Sequence, residues 1–164
     1  MNRVLPFTLD EITESFRLLD DWQSRYEYLI ELGEMLPPFD RRAQIEANRV
    51  QGCMSKVWVV ARPDPEAPQR LVLDADSDTG TVKGLAAILL ALYSGKAPRE
   101  ILAADADALF TELGLFEHLS PTRHVGVYAM VEFVRAIARR RLESTATGAT
   151  VTYAEASKAS AART

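Results

Sequence analysis

Ile12, Phe16 and Leu19 recur at the spacing that places apolar side chains on one face of a helix. Thr8 and Glu11 stand ahead of them with the spacing of a capping box, in which side chains satisfy the free backbone N–H groups of a first turn. A second helix is predicted from Asp20 or Asp21, with Trp22, Tyr26, Leu29, Ile30 and Gly33 as its inner stripe. Pro37-Pro38 ends it, because proline lacks the N–H and clashes with the preceding turn. The pattern then fades. Residues 39–52 are polar, carry Arg41, Arg42, Asn48 and Arg49, and end in Val50-Gln51-Gly52-Cys53.

Lys56 to Ala61 is β-branched and aromatic and reads as a strand; Arg70 to Asp76, with Leu71 and Leu73 alternating, reads as a second. Pro63, Pro65 and Pro68 fall between them, so the pair forms a hairpin with a proline-rich loop. Asp76-Ser77-Asp78-Thr79-Gly80 is a turn and helix-start signal. A calcium loop does not fit it, because glycine comes at the fifth position and Ala87 occupies the twelfth. A buried helix follows through Val82, Leu85, Ala86, Leu89, Leu92 and Tyr93 and ends at Gly95. Short helices are expected over 98–103 and 105–113, the second closed by Gly114. Ser120-Pro121 supplies an N-cap and first-turn proline for a last long helix to about Leu142, with Val127, Met130, Val131, Val134, Ile137 and Ala138 on one face. From 144 onward 15 of 21 residues are Ala, Ser or Thr, a composition that buries little apolar area. The expected architecture is a helix-rich α+β domain over 1–143 with a small antiparallel sheet, and a disordered or loosely attached tail over 144–164.

Composition narrows the function classes. The 164 residues are 48% hydrophobic and 26% charged, the balance of one ordinary globular domain. The longest apolar run, Leu85 to Tyr93, is nine residues against the ~20 a membrane span needs, and the N-terminus has no signal-peptide pattern, so a cytoplasmic protein without a membrane role is expected. A net charge of -4 argues against nucleic acid as the main partner. The one cysteine excludes a disulfide framework and a four-thiolate metal or cluster site within the chain.

Cys53 is therefore the first candidate for chemistry. It follows Gly52 on a loop ahead of a strand, an exposed and adjustable place, and nearby Arg49 and Lys56 would favour its thiolate. The competing reading is a small buried hydrophobe. His118 and His124 could complete a Cys-His pair or be structural. Arg135, Arg139, Arg140 and Arg141 read as a solvated helix C-terminus where cations suit the dipole. Lys83 lies between Gly80 and Gly84 without the spacing of a phosphate loop.

Four ordered segments resemble the SufE/CsdE family of sulfur-acceptor partners of cysteine desulfurases. They are Ile30-Glu31-Leu32-Gly33 with Leu36-Pro37; Asn48 to Trp58 around Gly52-Cys53; Asp76-Ser77-Asp78 with Val82-Lys83-Gly84-Leu85; and Leu113-Gly114-Leu115 with His118 to Arg123 and Gly126. The resemblance spans about residues 8–143 and departs at His124-Val125 and in the tail. It implies the SufE/IscU-like fold and a non-enzymatic role. Cys53 would take persulfide sulfur from a pyridoxal-phosphate-dependent, SufS/CsdA-type desulfurase, speed that enzyme, and deliver sulfur to a SufBCD-type Fe–S scaffold. The chain itself would hold no cofactor or metal and act as monomer or homodimer. Gly52 would let the loop swing, Arg123 would favour the thiolate or dock the desulfurase, and Asp76 and Ser55 would support the site. Persulfide transfer is thiolate attack on sulfur, so one mobile nucleophile suffices and a second thiol would release the sulfur. The alternatives are a stand-alone thiol enzyme with Cys53 as nucleophile and an adapter with a structural cysteine.

Overall fold

The computed structural model describes residues 5–147. It contains helices α1 (Leu9–Leu18), α2 (Trp22–Glu34), α3 (Gly80–Tyr93), α4 (Pro98–Ala103), α5 (Ala106–Glu112) and α6 (Pro121–Thr147), and strands β1 (Val57–Pro63) and β2 (Leu71–Ser77). The chain is α+β and helix-rich, with the two strands paired antiparallel from Val57 opposite Ser77 to Pro63 opposite Leu71.

Local chemistry sets most helix starts. The Thr8–Glu11 capping box forms, with Glu11 N donating to Thr8 Oγ1 at 3.2 Å and Thr8 N to Glu11 Oε2 at 3.4 Å. Asp21 caps α2 by accepting from Ser24 N at 2.8 Å, and Ser120 accepts from Arg123 N at 3.3 Å at the head of α6.

Packing is organised around α3. Its side chains are buried on almost every face, from Val82 through Leu85, Ile88, Leu89 and Leu90 to Tyr93, as expected of a helix that is apolar all round. It packs on α1, α2, α6 and β2. A two-stranded hairpin is marginal alone; here Val57, Val59, Leu71, Leu73 and Ala75 turn inward and join the helical core. Asp74, 8% exposed, accounts for itself through Arg62 Nη1 at 3.3 Å.

Some expectations shift. Ile30, placed in the inner stripe of α2, is 37% exposed, and Leu32 is buried instead. Ile30 rides over the start of α3, its Cγ2 3.8 Å from where a Cβ on Gly80 would stand. β2 runs one residue further than read, through Ser77, because Ser77 pairs with Val57. α6 continues to Thr147, past the expected end near Leu142, so 144–147 are helical. The tail expectation for 148–164 lies outside the described residues. No helix among the described residues is long and apolar enough to cross a membrane.

Candidate functional site

The polar stretch that showed no periodicity folds as two 3-10 turns, Arg41–Ala43 and Glu46–Asn48, and then rejoins the hairpin. Arg49 bridges Trp58, and Val50 N donates to Val57 O at 2.8 Å. Residues 51–56 are thereby left as a closed turn. Gly52 makes it possible with φ +87°, a left-handed conformation that costs other residues ~1–2 kcal/mol. The far end of the turn is tied to the loop before α3. Lys56 N donates to Asp78 Oδ1 at 3.0 Å, Asp78 N donates to Lys56 O at 3.2 Å, and Thr79 Oγ1 lies 2.9 Å from Ser55 Oγ and 3.1 Å from Asp78 Oδ1.

Cys53 sits on this turn, half-buried, a resting position that the sequence left open. Its Sγ lies against α6 at Gly126, 3.1 Å from where a Cβ on that glycine would stand. The thiol opens on a cavity of ≈ 270 Å³ whose inner wall is Val82, Leu85, Val127 and Met130. Its rim carries Ser55, Thr79, Ser120, Thr122, Arg123 and the side chain of Met54, which is 84% exposed.

The electrostatics also correct the expectation of a favoured thiolate. Burial pushes the Cys53 thiol up; a hydrogen bond from the Ser55 backbone opposes this, the Asp78 carboxylate adds to it, and Arg49 opposes it weakly. Arg49 is partly spent on Glu46, Nη1 to Oε2 being 3.8 Å. In this conformation burial disfavours the thiolate, the nucleophilic form.

Of the residues singled out in the sequence, Cys53, Ser55 and Arg123 meet at one cavity and Gly52 shapes the turn that carries the thiol. Arg123 is half-buried, and its guanidinium forms no ion pair among the described residues. Asp76 lies outside the cavity. It accepts from Gln44 Nε2 at 2.9 Å and pairs with Lys83 Nζ at 3.2 Å, joining the 3-10 segment to α3. Neither histidine lines the cavity. His118 stacks on Trp22 with ring centroids 3.5 Å apart, and His124 Nε2 is 2.6 Å from Phe116 O. Among the described residues no cluster of His, Cys, Asp and Glu could hold a metal ion.

Thr79 is expected as part of a turn and Val82, Leu85 and Met130 as core, yet all four also line the cavity, from α3, its N-cap and α6. Gly126 enters the sequence reading only as part of a motif. A lone glycine inside the apolar face of a long helix was the available signal, since such a residue usually marks a close approach.

Comparison with known proteins identifies the family and the fold. The chain matches the SufE family, described as Fe-S metabolism associated domain, over residues 10–138. An uncharacterized SufE-like protein of Rhizobium etli is 44% identical over 141 residues, 85% of this chain and 95% of that one. Another from Rhizobium meliloti is 43% identical over 137 residues, 82% of this chain and 97% of the relative. The chain belongs to the SufE family, and its role lies in Fe–S metabolism. Its fold is also that of a hypothetical protein from Thermus thermophilus solved in solution, with TM-score 0.66 and 25% identity over 85% of this chain and 99% of that one.

Proposed function

We propose that the protein is a sulfur carrier that moves sulfur from a cysteine desulfurase to an Fe–S assembly scaffold, with Cys53 as its acceptor. The Cys53 thiolate attacks the outer sulfur of the desulfurase's cysteine persulfide. A new S–S bond forms on Cys53, the old one breaks, and the desulfurase cysteine leaves as a thiolate. No electrons are gained or lost overall. Freeing that cysteine lets the desulfurase begin another turnover, which is how the carrier stimulates it. A scaffold of SufBCD type then takes the sulfur from Cys53.

The observation that carries this reading is the chain's one cysteine, held on a tethered turn against a cavity with apolar walls, in a member of a family tied to Fe–S metabolism. A persulfide adds one atom to the side chain, and a cavity of ≈ 270 Å³ has room for it. A Cys-His hydrolase would need a histidine base beside the thiol, and none lines this cavity. Arg123, which forms no ion pair among the described residues, lines the same cavity, a position from which it would meet the thiolate if the turn swings out. Gly52 supplies the hinge, and Asp76 holds the segment leading into it.

The test is turnover. A SufS/CsdA-type desulfurase with its cofactor and L-cysteine should release alanine faster when this protein is added. The gain should vanish with Cys53→Ser and fall severalfold with Arg123→Ala. Equal stimulation by Cys53→Ser would reject the acceptor role.

A further inference from the structure

We propose that Gly126 is the positioning residue of the acceptor sulfur: its missing side chain is the seat that lets Cys53 retract onto α6. This rests on the carrier reading for its purpose but not for its test.

The geometry makes the seat specific. A Cβ on Gly126 would stand 3.1 Å from Cys53 Sγ, and the thiol is its only close neighbour. That is well inside the ~3.5–4.0 Å of ordinary carbon contacts, and sulfur is larger than carbon. Three residues on, Ala129 faces Gly52, its Cβ 3.6 Å from where a Cβ on that glycine would stand. The hinge and the sulfur thus rest on one face of α6, and of the two contacts only the sulfur's is tight enough that a methyl group would make it give by a few tenths of an ångström. The rest of the turn is fixed elsewhere: Val50 to Val57, Lys56 to Asp78, and Ser55 within reach of Thr79. The part free to respond is Gln51 to Met54, hinged at Gly52.

Glycine inside a helix is otherwise a disadvantage, since alanine stabilises the same position. Adding a methyl at Gly126 therefore has two separable effects. It strengthens α6 as a helix, and it makes the sulfur give by a few tenths of an ångström, which loosens its seat. Close contact with α6 at Gly126 is part of the burial that disfavours the Cys53 thiolate. Gly126 thus sets the balance between a seated Cys53 and one presented to a partner.

The experiment is alkylation of the full chain by iodoacetamide across pH, followed by intact mass, for the parent, Gly126→Ala, Gly126→Ser and the exposed-neighbour control Val125→Ala. No desulfurase is needed. Gly126→Ala should react about fivefold faster at neutral pH, the low end of what overpacking a tight contact produces. Its pH–rate curve should move to lower pH, a change that a purely structural role would not produce. Gly126→Ser should behave likewise, so a folding failure in one variant leaves the other to decide. Val125→Ala should match the parent. An unchanged or slower reaction in the folded glycine variants would overturn the proposal. Faster alkylation without any sulfur loading from a desulfurase would leave Gly126 as the seat and reject the carrier reading instead.

Discussion

Gly84→Ala tests the packing on which the site is built. α2 and α3 approach so closely that their glycines face one another: a Cβ on Gly33 would stand 2.8 Å from Gly84 N. A Cβ on Gly84 would overlap Leu29 O and stand 2.8 Å from Leu29 C and 2.9 Å from Leu29 Cγ. Carbon pairs settle at ~3.5–4.0 Å, so the helices would have to part by roughly 1 Å at this point. Overpacking costs ~1–3 kcal/mol and occasionally more. Two of the three obstructing atoms are backbone, with no rotamer to change, which puts the cost at ~3–4 kcal/mol. Alanine's better helix propensity offsets ~1 kcal/mol, leaving a net loss of ~2–3 kcal/mol out of a typical ~5–15. At ~2–4 °C per kcal/mol for a chain of this size, Tm should fall by roughly 5–10 °C. Urea unfolding and thermal melting followed by far-UV circular dichroism measure both quantities. A Gly84→Ala protein as stable as the parent, or more so, would mean that helix propensity alone governs the position and that α2 and α3 are not in contact there. Because Thr79 precedes α3 and lies beside Ser55, the same variant should also loosen the Cys53 turn.

Other outcomes follow from the same geometry. Gly52→Ala forces a side chain into φ +87° and should cost ~1–2 kcal/mol in urea unfolding; no loss would mean the turn has another conformation. Asp76→Ala unties Gln44 and Lys83 and should destabilise by ~1–2 kcal/mol, with hydrogen exchange rising in 41–48; unchanged protection there would refute the anchoring role. Tyr93 is fully buried and its hydroxyl has no hydrogen-bond partner among the described residues, so Tyr93→Phe should be neutral or raise Tm, and a loss above ~1 kcal/mol would contradict this. The Cys53 thiol is held above its ordinary pKa by burial, so the folded protein should react with iodoacetamide at half-maximal rate at higher pH than the urea-unfolded chain. The sign carries over to stability: the folded state binds this proton more tightly, so stability is undiminished below the unfolded thiol's pKa and is lost as pH rises from there through the raised folded pKa.

The helices were legible where their signals are local. Thr8, Asp21, Pro98 and Ser120 mark their starts through side chains that bond backbone within three or four residues, or through a proline that needs no donor. The hairpin and the apolar run of α3 could be read from composition and periodicity alone. What sequence could not supply was distance across the chain. The thiol's depth depends on Gly126, more than seventy residues away, and on the Ser55 and Lys56 contacts to the loop before α3. Arg49 and Lys56 looked like activating cations by adjacency, but Glu46 engages the first, and desolvation of the thiol outweighs what Arg49 contributes. Ile30 misled because a residue on the edge of a helical stripe can face the rim of a packed neighbour rather than its centre.

The central claim is that Cys53 carries sulfur, and the most direct measurement is where the sulfur goes. The protein is incubated with a cysteine desulfurase, its pyridoxal cofactor and isotopically labelled L-cysteine, and then analysed by intact mass and peptide mapping without reductant. The expected result is one added sulfur atom, on the peptide containing Cys53, removed by thiol treatment and absent from Cys53→Ser. A chain that gains no sulfur from any SufS/CsdA-type desulfurase, while remaining folded, would contradict it.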